Sequence, residues 1–345
     1  MFTEYLKLVG VGKNGSKDLT FEQAIDSMTL FLNKEPTIVQ RSAFLMAERM
    51  KGETLEELKG FLKALKNETK TIDLSKYNPI DIAVNYDGKN RSLHILPSAV
   101  FIASGTGLNL VSHGSDKVPA KYGTNMNDVL NAMGCGNLEN ENQIEEAIEK
   151  SGFAWYHQKY FLPKLYDLLP ERREFTLRTF FNVIEKLVNP FSTDTIFTGV
   201  FHGNYIQKLI PLSEITGFKS VVVSQSLESG IEPFPFSNRK TRIADNEGNQ
   251  ILIDSSEFGL NISEEEINIT DINENAKINL EILQNKENKF KDWAILTSAI
   301  LLFVGEKVNS IEEGIEESRH SLENGYAFEK FEKYKEISSK VKLSL

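Results

Sequence analysis

A chain of 345 residues, 40% of them hydrophobic, can bury a large core and has the length of two domains. Its formal charge of −10 argues against overall attraction for polyanions, and its one cysteine, Cys135, excludes an intramolecular disulfide and any multi-cysteine metal site. Such cysteine usage fits a reducing cytoplasm. With no basic-then-apolar leader, and with its longest apolar run near Trp293–Val304 too short to span a bilayer, the chain reads as soluble and cytoplasmic, with no membrane role.

The first seventy residues read as helical. Thr20 with Gln23 and Thr54 with Glu57 fit capping boxes, placing helix starts at Phe21 and Leu55. Pro36 suits the first turn of a helix running to about Met50, and Gly52 suits its end. Apolar stripes (Phe44, Leu45, Met46 and Met50, then Leu55, Leu58, Phe61, Leu62 and Leu65) predict an all-α module of about four helices. The glycine-rich run Gly10–Gly15, which includes Lys13, follows a helix rather than a strand, so it reads as an interhelical turn and not a phosphate loop.

After the polar linker Asn67–Asn78 the pattern changes. Ile80–Val84 is strand-like, Ser92–Ser104 has helical spacing, Leu108–Val111 is strand-like again, and Met126–Met133 is helical. A βαβα unit implies parallel strands and a binding crevice at their carboxyl ends, where the loops Asn85–Arg91 and Ser112–Gly123 lie. Cys135, between Gly134 and Gly136, reads as a structural helix-end residue.

Charge is unevenly spread. Residues 243–345 alone carry a balance of −10, whereas 151–242 carry +3, and basic residues collect near the named loops: Lys89, Arg91, Lys117, Lys121, Arg172, Arg173, Arg178, Arg239, Lys240 and Arg242. They form an anion-binding groove if the fold brings them together and solvated surface if it does not. Arg172, Arg173 and Arg178 are equally compatible with a helix face paired to Glu171 and Glu174. Trp155, Tyr156 and Tyr160 beside His157 and Lys159 have the make-up of a nucleotide-stacking cluster, although core packing is the default for Trp155. The acidic run Glu264–Glu266 reads as a solvated face.

Four stretches in order carry a family resemblance: SHG at Ser112–Gly114, DVLNAMG at Asp128–Gly134, ERREFTLRTFFNVIEKLVNP at Glu171–Pro190, and the C-terminal AILTSAILLFVGEKVNSIEEGIEESRHSLENGYAFEKFEKY. Together they resemble the anthranilate phosphoribosyltransferase family of glycosyl transferases over nearly the whole chain. The resemblance implies the nucleoside phosphorylase/phosphoribosyltransferase fold: a small all-α domain (residues 1–70) beside a large α/β domain (71–345) with a mainly parallel sheet. Part of 160–190 is expected to pack back on the helices, and dimers to form through them.

The functional motifs depart from the family pattern. Where members using phosphoribosyl pyrophosphate carry Gly-Thr-Gly-Gly-Asp-Gly, this chain has Ala83-Val84-Asn85-Tyr86-Asp87-Gly88, losing the glycines whose bare amides wrap a pyrophosphate. His94-Ile95-Leu96-Pro97 replaces Asn-Ile-Ser-Thr, and Ser112-His113-Gly114-Ser115-Asp116-Lys117 replaces Lys-His-Gly-Asn-Arg-Ser. The magnesium-binding Asp-Glu pair corresponds to Glu232-Pro233, leaving Glu232 as a weak metal candidate, and one carboxylate rarely holds magnesium alone. Arg172 matches the arginine that grips the anthranilate carboxylate, but Glu185-Lys186 stands for Gly-Pro and Leu162 for a substrate-side histidine.

These losses resemble a branch of the family that keeps the fold, lacks phosphoribosyl transfer and binds nucleic acid. That resemblance implies a nonenzymatic single-stranded DNA- or RNA-binding homodimer without a cofactor. Its candidate phosphate contacts are Asn85, Asp87, Gly88, Lys89, Arg91, His113, Gly114, Lys117, Lys121, Arg172 and Arg173, with His113 reading more readily as a packed turn residue. Two alternatives stay open. One is a divergent transferase for a phosphorylated sugar or nucleotide, the only case in which magnesium would be needed; the other is a structural protein whose crevice is filled by its own side chains. No catalytic base is nominated.

Overall fold

The computed structural model describes residues 1–12 and 14–339; Lys13, in the glycine-rich turn, lies outside them. The chain opens with α1 (Phe2–Val9), α2 (Phe21–Leu32), α3 (Ile38–Lys51) and α4 (Leu55–Glu68). The capping boxes of α2 and α4 form as read, with each threonine side chain accepting from the N3 amide. Helix α3 differs: it is capped by a third box, Thr37 with Gln40, so Pro36 lies outside the helix instead of in its first turn. Helices α2 and α4 pack closely at Gly60, where a Cβ would lie 2.5 Å from Ala24 Cβ and 2.6 Å from Phe21 O. Phe2, Phe31, Phe44 and Phe61 fill the space between the helices.

The larger part is one sheet of β1 (Ile80–Ala83), β2 (Leu110–Gly114), β3 (Phe153–His157), β4 (Thr195–Val200), β5 (Ser220–Gln225), β6 (Thr241–Asp245) and β7 (Gln250–Ile253). Its order is β3-β2-β1-β4-β5-β6-β7; the first five are parallel, β6 pairs antiparallel with β5, and β7 pairs antiparallel with β6. Ile80 pairs with Leu110 on one side and Thr195 on the other, which makes β1 central. Every residue of β1, β2 and β3 is buried, as parallel strands covered on both faces require.

Helices α5 (Leu96–Gly105), α6 (Met126–Ala132) and α7 (Glu141–Ser151) accompany the first strands. The short helices α8 (Gln158–Phe161), α9 (Pro163–Tyr166), α10 (Leu169–Phe175) and α11 (Phe181–Ile184) lead to β4, and α12 (Ile206–Glu214) joins β4 to β5. Then α13 (Ile272–Leu283), α14 (Lys291–Val304), α15 (Ile311–Glu323) and α16 (Tyr326–Ser339) close over α5. No helix among the described residues is long and apolar enough to cross a membrane.

Two boundaries move relative to the sequence reading. Helix α5 starts at Leu96 and not Ser92, because the preceding residues are held from outside: Glu228 accepts from Ser92 Oγ, and Asn275 accepts from the His94 amide. Strand β2 runs through Gly114, so Ser112, His113 and Gly114 belong to the sheet and the crevice loop begins at Ser115. Their polarity is satisfied across the strands, as when Ser112 Oγ donates to Ile82 O at 2.8 Å.

Segment 158–184 packs on the helical part. Phe61 stacks on Phe180 with ring centroids 4.5 Å apart, Phe181 meets Phe31 edge-on at 5.8 Å, and Arg41 binds Glu171 through both carboxylate oxygens.

Candidate functional site

The loops after β1 and β2 meet at the carboxyl edge of the sheet and are bonded to each other. The Lys89 amide donates to Thr124 O at 2.8 Å, the Thr124 amide returns to Lys89 O at 2.9 Å, and the Gly123 amide donates to Asp87 O at 2.9 Å. Gly88, at φ +71°, lies so close that a Cβ would stand 2.5 Å from Thr124 O and 2.6 Å from Gly123 O. Its glycine therefore serves loop-to-loop packing rather than ligand approach.

The space beneath these loops is filled by the chain itself. Tyr86 is 3% exposed; its hydroxyl bonds His113 Nδ1 and Glu185 O, while His113 Nε2 lies 3.3 Å from Asp81 Oδ2 at the base of the sheet. Burial, with the nearby Glu185 and Asp81 carboxylates, pushes the Tyr86 hydroxyl well above its ordinary range. Lys89 Nζ lies 2.6 Å from Glu232 Oε1, both side chains being buried. Burial opposes the charge on Glu232, but Lys89 prevails and holds the carboxyl below its usual range. Beside them burial and Lys89 push His94 down to about 4, and its Nε2 reaches Thr124 O at 2.6 Å. Only about 10 Å³ of cavity remains among Asn85, Gly88, Lys89, His94 and Glu232.

Glu228, which no sequence signal marks, organises the neighbouring turn. Its Oε1 accepts from the Asn90 amide at 2.9 Å, and its Oε2 accepts from the Arg91 amide at 3.1 Å and Ser92 Oγ at 2.8 Å. Burial works against its charge, yet these donors and Lys121 keep the carboxyl below its usual range. A ring of donors that would suit an oxyanion is thus occupied by an internal carboxylate.

The sequence candidates divide accordingly. Lys89, His113 and Gly114 are interior, the last under the Trp155 ring, which a Cβ on Gly114 would meet at 3.1 Å. Arg172 is also interior: it forms a two-pronged pair with Glu185 at 2.7 and 2.9 Å, with its guanidinium over Phe181. It is therefore neither a ligand grip nor part of a solvated face, and Glu171, expected to pair along that face, binds Arg41. Arg173 is exposed and donates to Lys117 O, bracing the outside of the β2 loop. Trp155, Tyr156 and His157 are core residues; His157 Nε2 lies 3.2 Å from Asp116, and Tyr160 and Tyr166 bond acidic partners.

Asn85, Asp87, Arg91, Lys121 and Arg178 do converge. Asp87, 2% exposed, receives Arg178 and has Lys121 Nζ 3.5 Å away, while Lys121 also donates to Gly88 O at 2.6 Å. Beside this cluster a cavity of about 290 Å³ opens at the ends of β1, β4 and β5, with Asn85, Arg91, Lys121, Arg178, Lys186, Phe201 and Tyr205 in its wall. Arg91 is exposed at the rim, where its main-chain amide serves Glu228. A second cavity of about 400 Å³ shares Arg91, Phe201 and Glu228 with the first; it adds Glu264, Glu265 and Arg239, whose guanidinium covers Phe234 at 4.2 Å and Phe201 at 5.5 Å.

The helical bundle domain of a glycosyl transferase family matches residues 3–68, and the a/b domain of that family matches residues 87–328. The chain belongs to this glycosyl transferase family. Among family relatives, an uncharacterized protein of Aquifex aeolicus is 32% identical over 88% of this chain and 93% of its own length. Anthranilate phosphoribosyltransferase of Bacillus cereus is 28% identical over 94% of each. The fold is shared with anthranilate phosphoribosyltransferase of Saccharomyces cerevisiae solved with phosphoribosyl pyrophosphate and magnesium, at TM-score 0.84 and 21% identity over 98% of both chains. The enzyme of Thermus thermophilus gives TM-score 0.81 and 24% identity over 96% of this chain and 98% of its own.

Magnesium and a pyrophosphate donor do not fit the glycosyl transferase crevice as it stands here. Glu232 is paired with Lys89, Glu228 is enclosed by its own donors, and no group of three His, Cys, Asp or Glu side chains among the described residues is placed to hold a metal ion.

Proposed function

We propose that this chain is a binding member of its family, taking single-stranded nucleic acid along the tract formed by the two open cavities and not performing phosphoribosyl pyrophosphate-dependent transfer. One observation carries the reading: beside a crevice filled by Tyr86, His113 and the Lys89–Glu232 pair, which a purely structural protein would share, an open tract sets Arg91, Lys121, Arg178 and Arg239 among Phe201, His202 and Tyr205, with Glu228, Glu264 and Glu265 also in its walls. Cations suit a strand's phosphates, and aromatic faces suit its unpaired bases. We further propose that the protein is cytoplasmic and forms a homodimer through the helical part, where Val39 and Met50 of α3 and Val11 of the turn after α1 stand exposed.

The test is fluorescence polarisation of labelled single-stranded DNA and RNA across a salt series. Affinity is expected to fall with salt, and Arg91→Glu/Arg239→Glu to weaken binding; each removed phosphate contact lowers the log–log salt slope by about 0.7. Absence of binding at low salt, or indifference to the charge reversal, removes the proposal. The alternative of a divergent transferase draws on the family membership and on a cavity of about 290 Å³ at the strands' carboxyl ends, large enough for a small phosphorylated ligand. Turnover of any phosphorylated glycosyl donor by the purified protein would favour that alternative.

A further inference from the structure

We propose that the cavity at the carboxyl ends of β1, β4 and β5 takes a small phosphorylated aldehyde or ketone, and that Lys186 Nζ attacks its carbonyl carbon to form an imine. The inference goes beyond nucleic-acid binding and does not rest on it. Lys186 is 3% exposed and stands in the wall of the cavity of about 290 Å³, where its ammonium group donates to Gly199 O at 2.8 Å. Among the described residues no carboxylate lies within ion-pair distance of it, whereas Lys89, Lys121, Arg172 and Arg178 each have one. A buried lysine without a carboxylate partner is costly to keep charged, and it needs some use for the amine.

The surroundings supply that use. Burial pushes the amine down to about 7; Asp87 opposes this, while Arg178 and Lys121 push the same way. The other charged group in the wall, Glu228, is committed to the Asn90 and Arg91 amides, and His202 lies exposed at the end of β4. Near neutral pH a substantial share of Lys186 is therefore the free amine, which is the nucleophilic form. Arg91, with no carboxylate within ion-pair distance among the described residues, shares the cavity with it and would receive a phosphate dianion, with Lys121 and Arg178, both paired to Asp87, beside it. The step balances without an oxidant or reductant. The nitrogen lone pair forms the C–N bond, the two amine protons pass to the former carbonyl oxygen, and that oxygen leaves as water as the C=N bond closes.

Pyridoxal 5′-phosphate serves as the probe, followed by borohydride reduction and peptide mapping by mass spectrometry. The expected result is a reduced adduct on the peptide containing Lys186, forming faster as pH rises through 7, slowed by excess inorganic phosphate and lost in Lys186→Met. Arg91→Ala should slow labelling of that lysine roughly tenfold, the effect of one charge-assisted contact, while leaving exposed lysines unchanged. Adducts confined to exposed lysines such as Lys208 and Lys219, with the Lys186 peptide unmodified, would overturn the proposal, as would labelling of Lys186 that phosphate does not slow. The wild-type peptide map decides the matter even if Lys186→Met folds poorly. The polarisation assay can fail while the adduct forms, and the reverse, so the two readings fall separately.

Discussion

Lys89 stands where a phosphate contact is expected, yet its charge is satisfied internally by Glu232 at 2.6 Å. Glu228 repeats the substitution one turn away, presenting carboxylate oxygens to amides that in an open loop would face a ligand. Such pairs are demanding, because each charge left the solvent on the condition that its partner did too. Lys89→Met should therefore cost about 3–5 kcal/mol by stranding Glu232 in the interior. Lys89→Met/Glu232→Leu removes both charges and should recover most of that loss. Urea unfolding of the wild type, the single variant and the double variant measures the difference. A single variant as stable as the wild type would mean that the crevice opens and hydrates Glu232, and the closed-site reading would fail with it.

At the level of elements, the local signals were legible and the long-range ones were not. Capping boxes at Thr20 and Thr54 and the alternation of strand and helix after Ile80 rest on contacts within a few residues, which a sequence displays directly. Extension of β2 through His113 depends instead on Asp81 and Tyr86, and the role of Glu228 depends on a turn with φ of 48° placed against the β1 loop from 138 residues away. The pattern of lost motifs indicated that the crevice was altered, but which side chains fill it could only come from the fold.

Helix α3 carries a further consequence. Its outer side exposes Val39 by 74% and Met50 by 72%, beside Val11 at 66%, a concentration of apolar surface that a lone helix in water does not favour. On its inner side Glu48 is buried near Lys51 and Glu57, and burial, reinforced by the Glu57 carboxylate, pushes it up to about 8. Light scattering should report a dimer for the wild type and a monomer for Val39→Glu/Met50→Glu; a monomeric wild type removes the dimer proposal. The titration has its own sign. A carboxyl raised in the folded state contributes stability that is fully present below its unfolded pKa and lost as pH rises towards 8. Glu48→Gln should accordingly gain stability relative to the wild type as the pH climbs from the ordinary carboxylate range to about 8, by about 1.4 kcal/mol per pH unit, and level off above that. A difference that is flat with pH in thermal melts would place Glu48 in contact with water.

Across the whole molecule, the small helical bundle and the large sheet domain are joined by aromatic packing rather than by a thin linker alone. Phe31 meets Phe181, Phe61 stacks on Phe180, and Arg41 clasps Glu171, so segment 158–184 lies within the bundle's packing while its ends continue from β3 and into β4. The same segment leads directly into Glu185 and Lys186, the first holding Arg172 and the second lining the open cavity. A disturbance of the bundle should therefore reach the cavity wall, because the connecting side chains are buried and close-packed. Phe61→Ala removes a fully buried ring that touches both Phe44 and Phe180, and should cost about 3–5 kcal/mol. Calorimetry should show a single transition for the wild type, moved to lower temperature as a whole in the variant, because the two parts share the core that the substitution hollows out. Two separated transitions, with only the smaller one moving, would mean that the bundle unfolds on its own, and would detach the helices from any part in shaping the cavity.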